Sequence, residues 1–309
     1  MRPTTPSPWA VILAGGDGTR LRPLTQRLVG DARPKQFCPL FGTETLLDRT
    51  RRRTDLVIRP DRQVVVVTAA HAPYYAGLAG ELLPGRLLVQ PSNRGTTSAI
   101  VLAALAVGRL AGDVPIVVLP SDHDVADEVT FMQAVGGAIE AVDERRESVL
   151  LLGIEPTRAE TEYGWIEPAH GTAGEVVAIR RFFEKPSAAL ARRLFETGCL
   201  WNSFVMVGWA SAFTALVAAT LPDVAAAFAP VGRALGTEAE ARAVRRAYAV
   251  TPALGFSEGV LARAPERLAV MRVKDVGWCD VGSPRRAAES ARRRGHAPAW
   301  LTAVAAAGS

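Results

Sequence analysis

A chain of 309 residues that is 49% hydrophobic and 22% charged has the length of one large or two ordinary domains and ample apolar content for a core. Its net charge of +5 is no nucleic-acid footprint, because Arg51-Arg52-Arg53 and Arg292-Arg293-Arg294 are not interleaved with aromatic residues and read as solvated helix faces. No apolar run has the length and purity of a membrane span, the opening Met1–Pro8 reads as a frayed tail with no signal-peptide core, and Cys38, Cys199 and Cys279 form no CxxC pair, so the cytosol and reduced thiols are expected.

Short β-branched runs alternate with helix-length segments through the first half. Strands are predicted at Ala10–Leu13, Gln63–Thr68, Leu87–Gln90, Pro115–Leu119 and Val149–Leu152. Helices are predicted between them at Leu46–Val57, Ser98–Leu110 and Phe131–Val142, with a shorter one near Tyr74–Leu83. The alternation predicts an α/β fold with a mostly parallel central sheet and helices on both faces. After Gly153 the strands are more separated, at Tyr163–Glu167, Val176–Glu184 and Leu200–Val207, with a helix over Ser187–Thr197. Helices dominate from Ala210 to Tyr248, ahead of a last strand at Leu268–Val273 and a helix at Pro284–Arg294. The stretch Val304–Ala307 reads as tail.

In parallel α/β sheets, ligands lie beyond the carboxyl ends of the strands. The first strand breaks there into Gly15-Gly-Asp-Gly-Thr-Arg20, with Arg33-Pro-Lys35-Gln-Phe37 a short step behind. Glycines let backbone N–H groups approach an anion closely, and two nearby cations suit a nucleoside triphosphate, although many strand-end turns need glycine for backbone reasons alone. The spacing matches neither a GxGxxG fingerprint nor a P-loop. Lysine is rare in this chain: only three of the 36 basic residues, Lys35, Lys185 and Lys274, are lysines. The first two fall in motifs suited to a compact point charge on a phosphate. Ser121-Asp122-His123-Asp124 and Gly277-Trp-Cys-Asp280 each offer a carboxylate at a turn. Mg²⁺ in triphosphate sites takes one or two carboxylates plus substrate oxygens, and a turn or cap role is the alternative for each aspartate. His123 reads as a loop brace. Glu184-Lys185 at a strand end could hold sugar hydroxyls and a phosphate, and Asn202 on an apolar strand needs a specific partner, a structural bond or a sugar hydroxyl.

The ordered set AGGDGTRLRPLT, RPKQF, QPSNRGTTSAI, LPSDH, EYGWIEP, FFEKP, LWNSF and GWCDVGS resembles the sugar-1-phosphate nucleotidyltransferases, and within them the mannose-1-phosphate guanylyltransferases. The likeness runs from Trp9 to Arg286. It implies a Rossmann-like nucleotidyltransferase domain over residues 9–295, with a nucleotide-binding half (9–153), a sugar-phosphate half (154–295) and a tail (296–309). By resemblance, Ala14, Gly15, Gly16, Gly18, Thr19, Arg20, Lys35, Gln90, Gly95, Thr96 and Asp122 bind the nucleotide. Gly164, Glu184, Lys185 and Asn202 bind the sugar phosphate, Asp122 and Asp280 hold Mg²⁺, and Arg20, Lys35, Asp122, Lys185 and Asp280 carry catalysis. The implied partners are GTP, or another nucleoside triphosphate, and a sugar-1-phosphate, with neither nucleic acid nor membrane and a homo-oligomer left open. Gln36 is typical of guanylyltransferases. Gln90-Pro91 and Arg94-Gly-Thr-Thr-Ser98 stand where an acidic residue and an Arg-Asn-Thr-Ala-Pro run are usual, Phe204 stands where glycine is usual, and Ser257-Glu258 replaces a more common Asp-containing motif. These departures bear on base and sugar choice rather than on reaction class. By the same resemblance, the chain is expected to lack the appended β-helix or isomerase domain of longer relatives.

Overall fold

Along the first strand, Trp9 and Val11 enter one core cluster while Ala10 and Ile12 enter another. Such alternation of apolar residues buried on both sides is what a sheet covered on both faces requires. The computed structural model describes residues 6–171, 175–295 and 300–301. Among them, nine strands form one sheet: β1 (Trp9–Leu13), β2 (Gln63–Thr68), β3 (Leu87–Gln90), β4 (Pro115–Pro120), β5 (Val149–Ile154), β6 (Gly164–Pro168), β7 (Val176–Glu184), β8 (Leu200–Trp209) and β9 (Leu268–Val273). Their order is β3-β2-β1-β4-β8-β5-β9-β7-β6, and the start of β8 also pairs with β6, Trp201 lying opposite Trp165.

The Rossmann-like expectation holds, with the parallel arrangement concentrated in the first half. β3, β2, β1 and β4 run parallel, as do β5 and β9, whereas β8 is antiparallel to both β4 and β5, and β7 to β6 and β9. The sheet is therefore mixed rather than mostly parallel. The reason is partly chain length: the link from Pro168 to Val176 is too short for the crossover of a dozen or more residues that a parallel pair needs.

The helices used below are α1 (Arg22–Val29), α2 (Leu46–Thr54), α3 (Gly95–Ala111), α4 (Glu128–Ala141), α5 (Ala188–Glu196), α6 (Ala210–Thr220), α7 (Pro222–Ala234), α8 (Glu240–Val250) and α9 (Pro284–Arg293). One face of the sheet packs on α3, α6, α7 and α8, and the other on α2, α4 and α5. The segment read as one short helix near Tyr74–Leu83 is two, Ala72–Tyr75 and Leu78–Glu81. Helix α1, absent from the sequence reading, has glycine at its end in a left-handed conformation (φ 82), the usual stop signal. It matters for the site, because Leu21, Leu24, Cys38 and Leu40 form a third cluster with Cys279, Val281, Ala287 and Trp300. That cluster packs the segment after β1 on α9. Trp300 also donates from its indole to the Leu40 carbonyl at 3.0 Å, so this part of the predicted 296–309 tail is packed. Val304–Ala307 and most of the Met1–Pro8 tail lie outside the described residues. Among the described residues no helix is long and apolar enough to cross a membrane.

Candidate active site

After Leu13 the chain turns through Ala14–Gly18 into a single helical turn at Thr19–Leu21. Glycine is required at two points of this loop. A Cβ on Gly15 would lie 2.4 Å from Gln90 Nε2 and 2.9 Å from Thr68 Oγ1, while Gly18 has φ 55 and a Cβ there would lie 3.0 Å from the Lys35 amide nitrogen. Side chains of the scaffold hold the loop. Gln36 Nε2 donates to the carbonyls of Ala14 (3.0 Å) and Gly16 (2.7 Å), and Thr68 Oγ1 to that of Gly15 (3.0 Å). Asp17 is caught between His71 (3.2 Å) and Asn93 (2.8 Å). The Ala14 amide donates to the Val66 carbonyl at 2.7 Å, so the backbone N–H groups from Gly15 onward are what the loop can offer an anion.

The two aspartate turns meet although 158 positions separate Asp122 from Asp280 in the sequence. Asp124 and Cys279 exchange backbone hydrogen bonds of 2.8 and 2.9 Å. Lys35 reinforces the junction, its Nζ lying 3.4 Å from Asp122 Oδ2 and donating to the carbonyls of Asp280 (2.5 Å) and Val281 (3.1 Å). Burial would raise the Asp122 carboxyl, but the Lys35 ammonium holds it below the ordinary aspartate value, so it is ionised at neutral pH. His123 sits 3.5 Å from Asp122 and edge-on to Trp278, and burial pushes its imidazole down to about 4. It is neutral at physiological pH, consistent with a brace rather than an acid. Asp124 is fully engaged by Ser290, Arg294 and the nearby Arg49, and is structural.

Asp280 accepts from the Tyr163 hydroxyl (3.2 Å) and the Gly282 amide (3.0 Å), with Arg286 Nε at 3.4 Å. Among the described residues these contacts all fall on Oδ1. Arg286, 3% exposed, lies over the Tyr163 ring; burial would lower it, but Asp280 keeps it raised and charged. Among the described residues no group of three or more His, Cys, Asp or Glu side chains could hold a metal unaided. A pair of carboxylates is the donor set that fits Mg²⁺, which keeps most of its shell for water and phosphate oxygens.

Across from the glycine loop, Gly164 opens β6. A Cβ there would come within 3.0 Å of Glu184 Oε2 and of the Phe182 ring, so glycine leaves room for the carboxylate. Burial raises the Glu184 carboxyl, offset in part by Lys185, whose exposed Nζ lies 3.9 Å away. Asn202 donates to Ser257 Oγ at 3.5 Å and accepts from the Phe204 amide at 3.0 Å.

These groups surround one cleft of about 420 Å³. Of the sequence-predicted residues, Gly15, Gly16, Arg20, Gln90, Gly95, Thr96, Asp122, Gly164, Glu184, Lys185, Asn202 and Asp280 line it. Gly18, Thr19 and Lys35 line an adjoining hollow that shares Arg20 and Asp122 with the cleft, while Ala14 is buried behind the loop. Arg20 is tied at 2.6 Å to Glu162 on the opposite wall. Gln90 is 3% exposed, and its Oε1 accepts from Tyr248 at 3.1 Å, so the cleft meets only part of its amide. Gly95 has φ 76 and could carry no side chain, because a Cβ would lie 2.3 Å from the Leu254 carbonyl. Thr96 Oγ1 accepts from the Phe256 amide at 2.8 Å. Sequence reasoning did not single out Tyr163, Glu162, Asn93, Trp278 or Arg286 as site residues. Tyr163, Glu162, Asn93 and Trp278 lay inside the motifs named above; a buried arginine in a helix otherwise rich in solvated arginine carried no signal.

The glycine loop, the two aspartate turns and Lys185 line a single cleft, an arrangement of amides and charges suited to a phosphate-bearing ligand. Residues 9–293 match the Nucleotidyl transferase family, and the chain belongs to it. It is 34% identical over 287 residues to the xanthan biosynthesis protein XanB of Xanthomonas campestris, covering 88% of this chain and 57% of that protein. Mannose-1-phosphate guanylyltransferase ManC of Salmonella typhimurium is 32% identical over 285 residues, covering 89% and 58%. The chain thus spans little more than half the length of these relatives. Among solved structures, one titled mannose-1-phosphate geranyltransferase from Thermus thermophilus superposes with a TM-score of 0.77 at 31% identity, covering 89% of this chain and 76% of that one.

Proposed function

We propose that this chain transfers a guanylyl group from GTP to mannose-1-phosphate, forming GDP-mannose and pyrophosphate. The observation that carries the reading is the meeting of Asp122 and Asp280 in one cleft, between the glycine loop on one side and Gly164, Glu184, Lys185 and Asn202 on the other. Relatives named mannose-1-phosphate guanylyltransferases, 31% and 32% identical, support the choice of base and sugar.

A phosphate oxygen of the acceptor attacks the α-phosphorus of the nucleotide in line, a P–O bond forms there, and the bond to the bridging oxygen breaks to release pyrophosphate. The nucleophile is already anionic, so no general base is needed, and catalysis rests on alignment and charge. The loop amides and Arg20 receive the triphosphate. Lys185 holds the acceptor phosphate, while Glu184, Asn202 and the backbone at Gly164 receive sugar hydroxyls. Lys35 holds Asp122 beside the Asp280 turn, which keeps both carboxylates facing the same reacting phosphate. Mg²⁺ bound by the pair would neutralise developing charge on the phosphoryl oxygens.

Pyrophosphate release measured over a panel of nucleoside triphosphates and sugar-1-phosphates tests this reading. A pocket that hydrogen-bonds guanine leaves its own polar groups unpaired against other bases. The expected result is at least a roughly tenfold preference in kcat/KM for GTP over dTTP and UTP with mannose-1-phosphate. Equal or better turnover of dTTP with glucose-1-phosphate overturns the guanylyl and mannosyl assignments.

A further inference from the structure

Strand β8 carries an irregularity at the cleft wall. Its pairing with β5 jumps from Met206 opposite Leu151 to Asn202 opposite Gly153, leaving extra β8 residues between them. Ser203 anchors the bulge, donating to the Leu152 carbonyl at 2.6 Å and accepting from the Val205 amide at 3.1 Å. At its apex Phe204 has φ 61, a left-handed conformation that glycine adopts freely and a bulky residue does not. Bulges re-aim side chains beside active sites, and a strained conformation persists only where its surroundings over-determine it.

Phe204 is half-buried. It packs on the larger core cluster and borders two spaces, the cleft itself and an outer hollow lined by Thr96, Glu184, Lys185, Gly255 and Ser257. Its amide donates to Asn202 Oδ1 at 3.0 Å, which fixes the amide that faces the acceptor. A glycine at this position would leave the two spaces without the ring between them.

We propose that Phe204 is a specificity-determining wall of the acceptor pocket, a ring that closes the cleft beside Glu184, Lys185 and Asn202 and restricts it to sugar-1-phosphates without a bulky substituent. The inference rests on the reading above in one respect, that this half of the cleft receives the sugar phosphate. The backbone strain is the cost of placing an aromatic ring where the bulge would otherwise present only a hydrogen.

The test compares wild type, Phe204→Tyr, Phe204→Ala and Phe204→Gly on mannose-1-phosphate and on N-acetylglucosamine-1-phosphate, by kcat/KM with GTP and by calorimetric binding of each sugar phosphate. The ratio of substituted to unsubstituted acceptor is expected to rise at least about tenfold in Phe204→Ala and Phe204→Gly and to stay near wild type in Phe204→Tyr, because only the first two remove the ring. Melting temperature should be no lower for Phe204→Gly than for Phe204→Ala, since glycine relieves the left-handed strain. Unchanged ratios in both truncated variants overturn the wall. If wild type turns over neither acceptor, calorimetry decides: a gain in affinity for the substituted sugar phosphate in the truncated variants upholds the wall and sinks the reading of guanylyl transfer to mannose-1-phosphate, and no gain, or no binding by any of the proteins, sinks the wall.

Discussion

Around the β1 loop the cleft is shaped by backbone that side chains hold in place: Gln36 and Thr68 bind its carbonyls and Asn93 holds Asp17, while Gln36 and Asn93 also line the opening. Across the cleft, at β6 to β8, the groups on offer are side chains, Glu184, Lys185 and Asn202, standing on strand ends of antiparallel geometry. On the proposed function, the difference follows from what each side would recognise. A triphosphate is a chain of like oxygens that a row of amides can meet, whereas a sugar phosphate presents hydroxyls and one charge at fixed relative positions and needs individual donors and acceptors. Left-handed residues near the first loop include Gly18 and Gly95 together with Val281 (φ 48) beside the Asp280 turn, while the opposite wall carries Lys185 (φ 44) and Phe204 (φ 61). Its side chains are needed there despite the backbone they require.

Asp122 and Asp280 join the two sides, and removing either charge is the most severe way to break the comparison. Asp122→Asn and Asp280→Asn are each expected to lower kcat by about a hundredfold or more, beyond the 10- to 100-fold typical of changes one shell further out. Circular dichroism should show the fold retained. Turnover near wild type at saturating Mg²⁺ in either variant, measured as pyrophosphate release, would remove that residue from the metal site.

A smaller effect separates the brace from the chemistry. The His123 imidazole titrates at about 4 in the folded chain, below its ordinary value of 6.5. The unfolded state therefore binds the proton first as pH falls, so stability contributed by neutral His123 is present above about 6.5 and is lost between there and about 4. Melting temperature should fall across that window, and His123→Gln should flatten the slope while leaving a substantial share of the turnover measured at neutral pH. An unchanged slope would mean that His123 does not carry this pH dependence. Asp122 contributes in a separate window: its depressed carboxyl gives stability that is lost only below the ordinary aspartate value.

The nucleotide side was the more legible in sequence. Strand ends, glycines and carboxylates sit in short contiguous motifs there, and Gln63–Thr68 and Leu87–Gln90 fall on the strands as read. Parallel strands buried on both faces give continuous apolar runs that stand out against their flanks. The antiparallel placement of β8 left no such mark, since pairing partners far apart in sequence have no local signature. Helix α1 was hidden by its arginines and its proline at the second position, although proline is at home in a first helical turn. Arg286 illustrates the same limit in the site: nothing in the sequence separates it from the exposed Arg285 beside it, and only the tertiary fold buries it beside Asp280 and Tyr163. Lys35 was legible as a site lysine but not as a tie between the two aspartate turns, because that role depends on carbonyls 245 and 246 positions away.

The division of labour between the two walls is tested most directly by crossed initial-velocity kinetics on Gly15→Ala and Lys185→Ala, varying GTP and mannose-1-phosphate in turn. The Gly15 Cβ would meet Gln90 Nε2 at 2.4 Å and displace the loop, whereas Lys185 is exposed and its loss removes one charge. Gly15→Ala should lower kcat/KM for GTP about tenfold, equivalent to about 1.4 kcal/mol, with KM for the acceptor little changed. Lys185→Ala should raise KM for mannose-1-phosphate by a similar factor, leaving KM for GTP near wild type. The same pattern of defects towards both substrates in both variants would contradict the account.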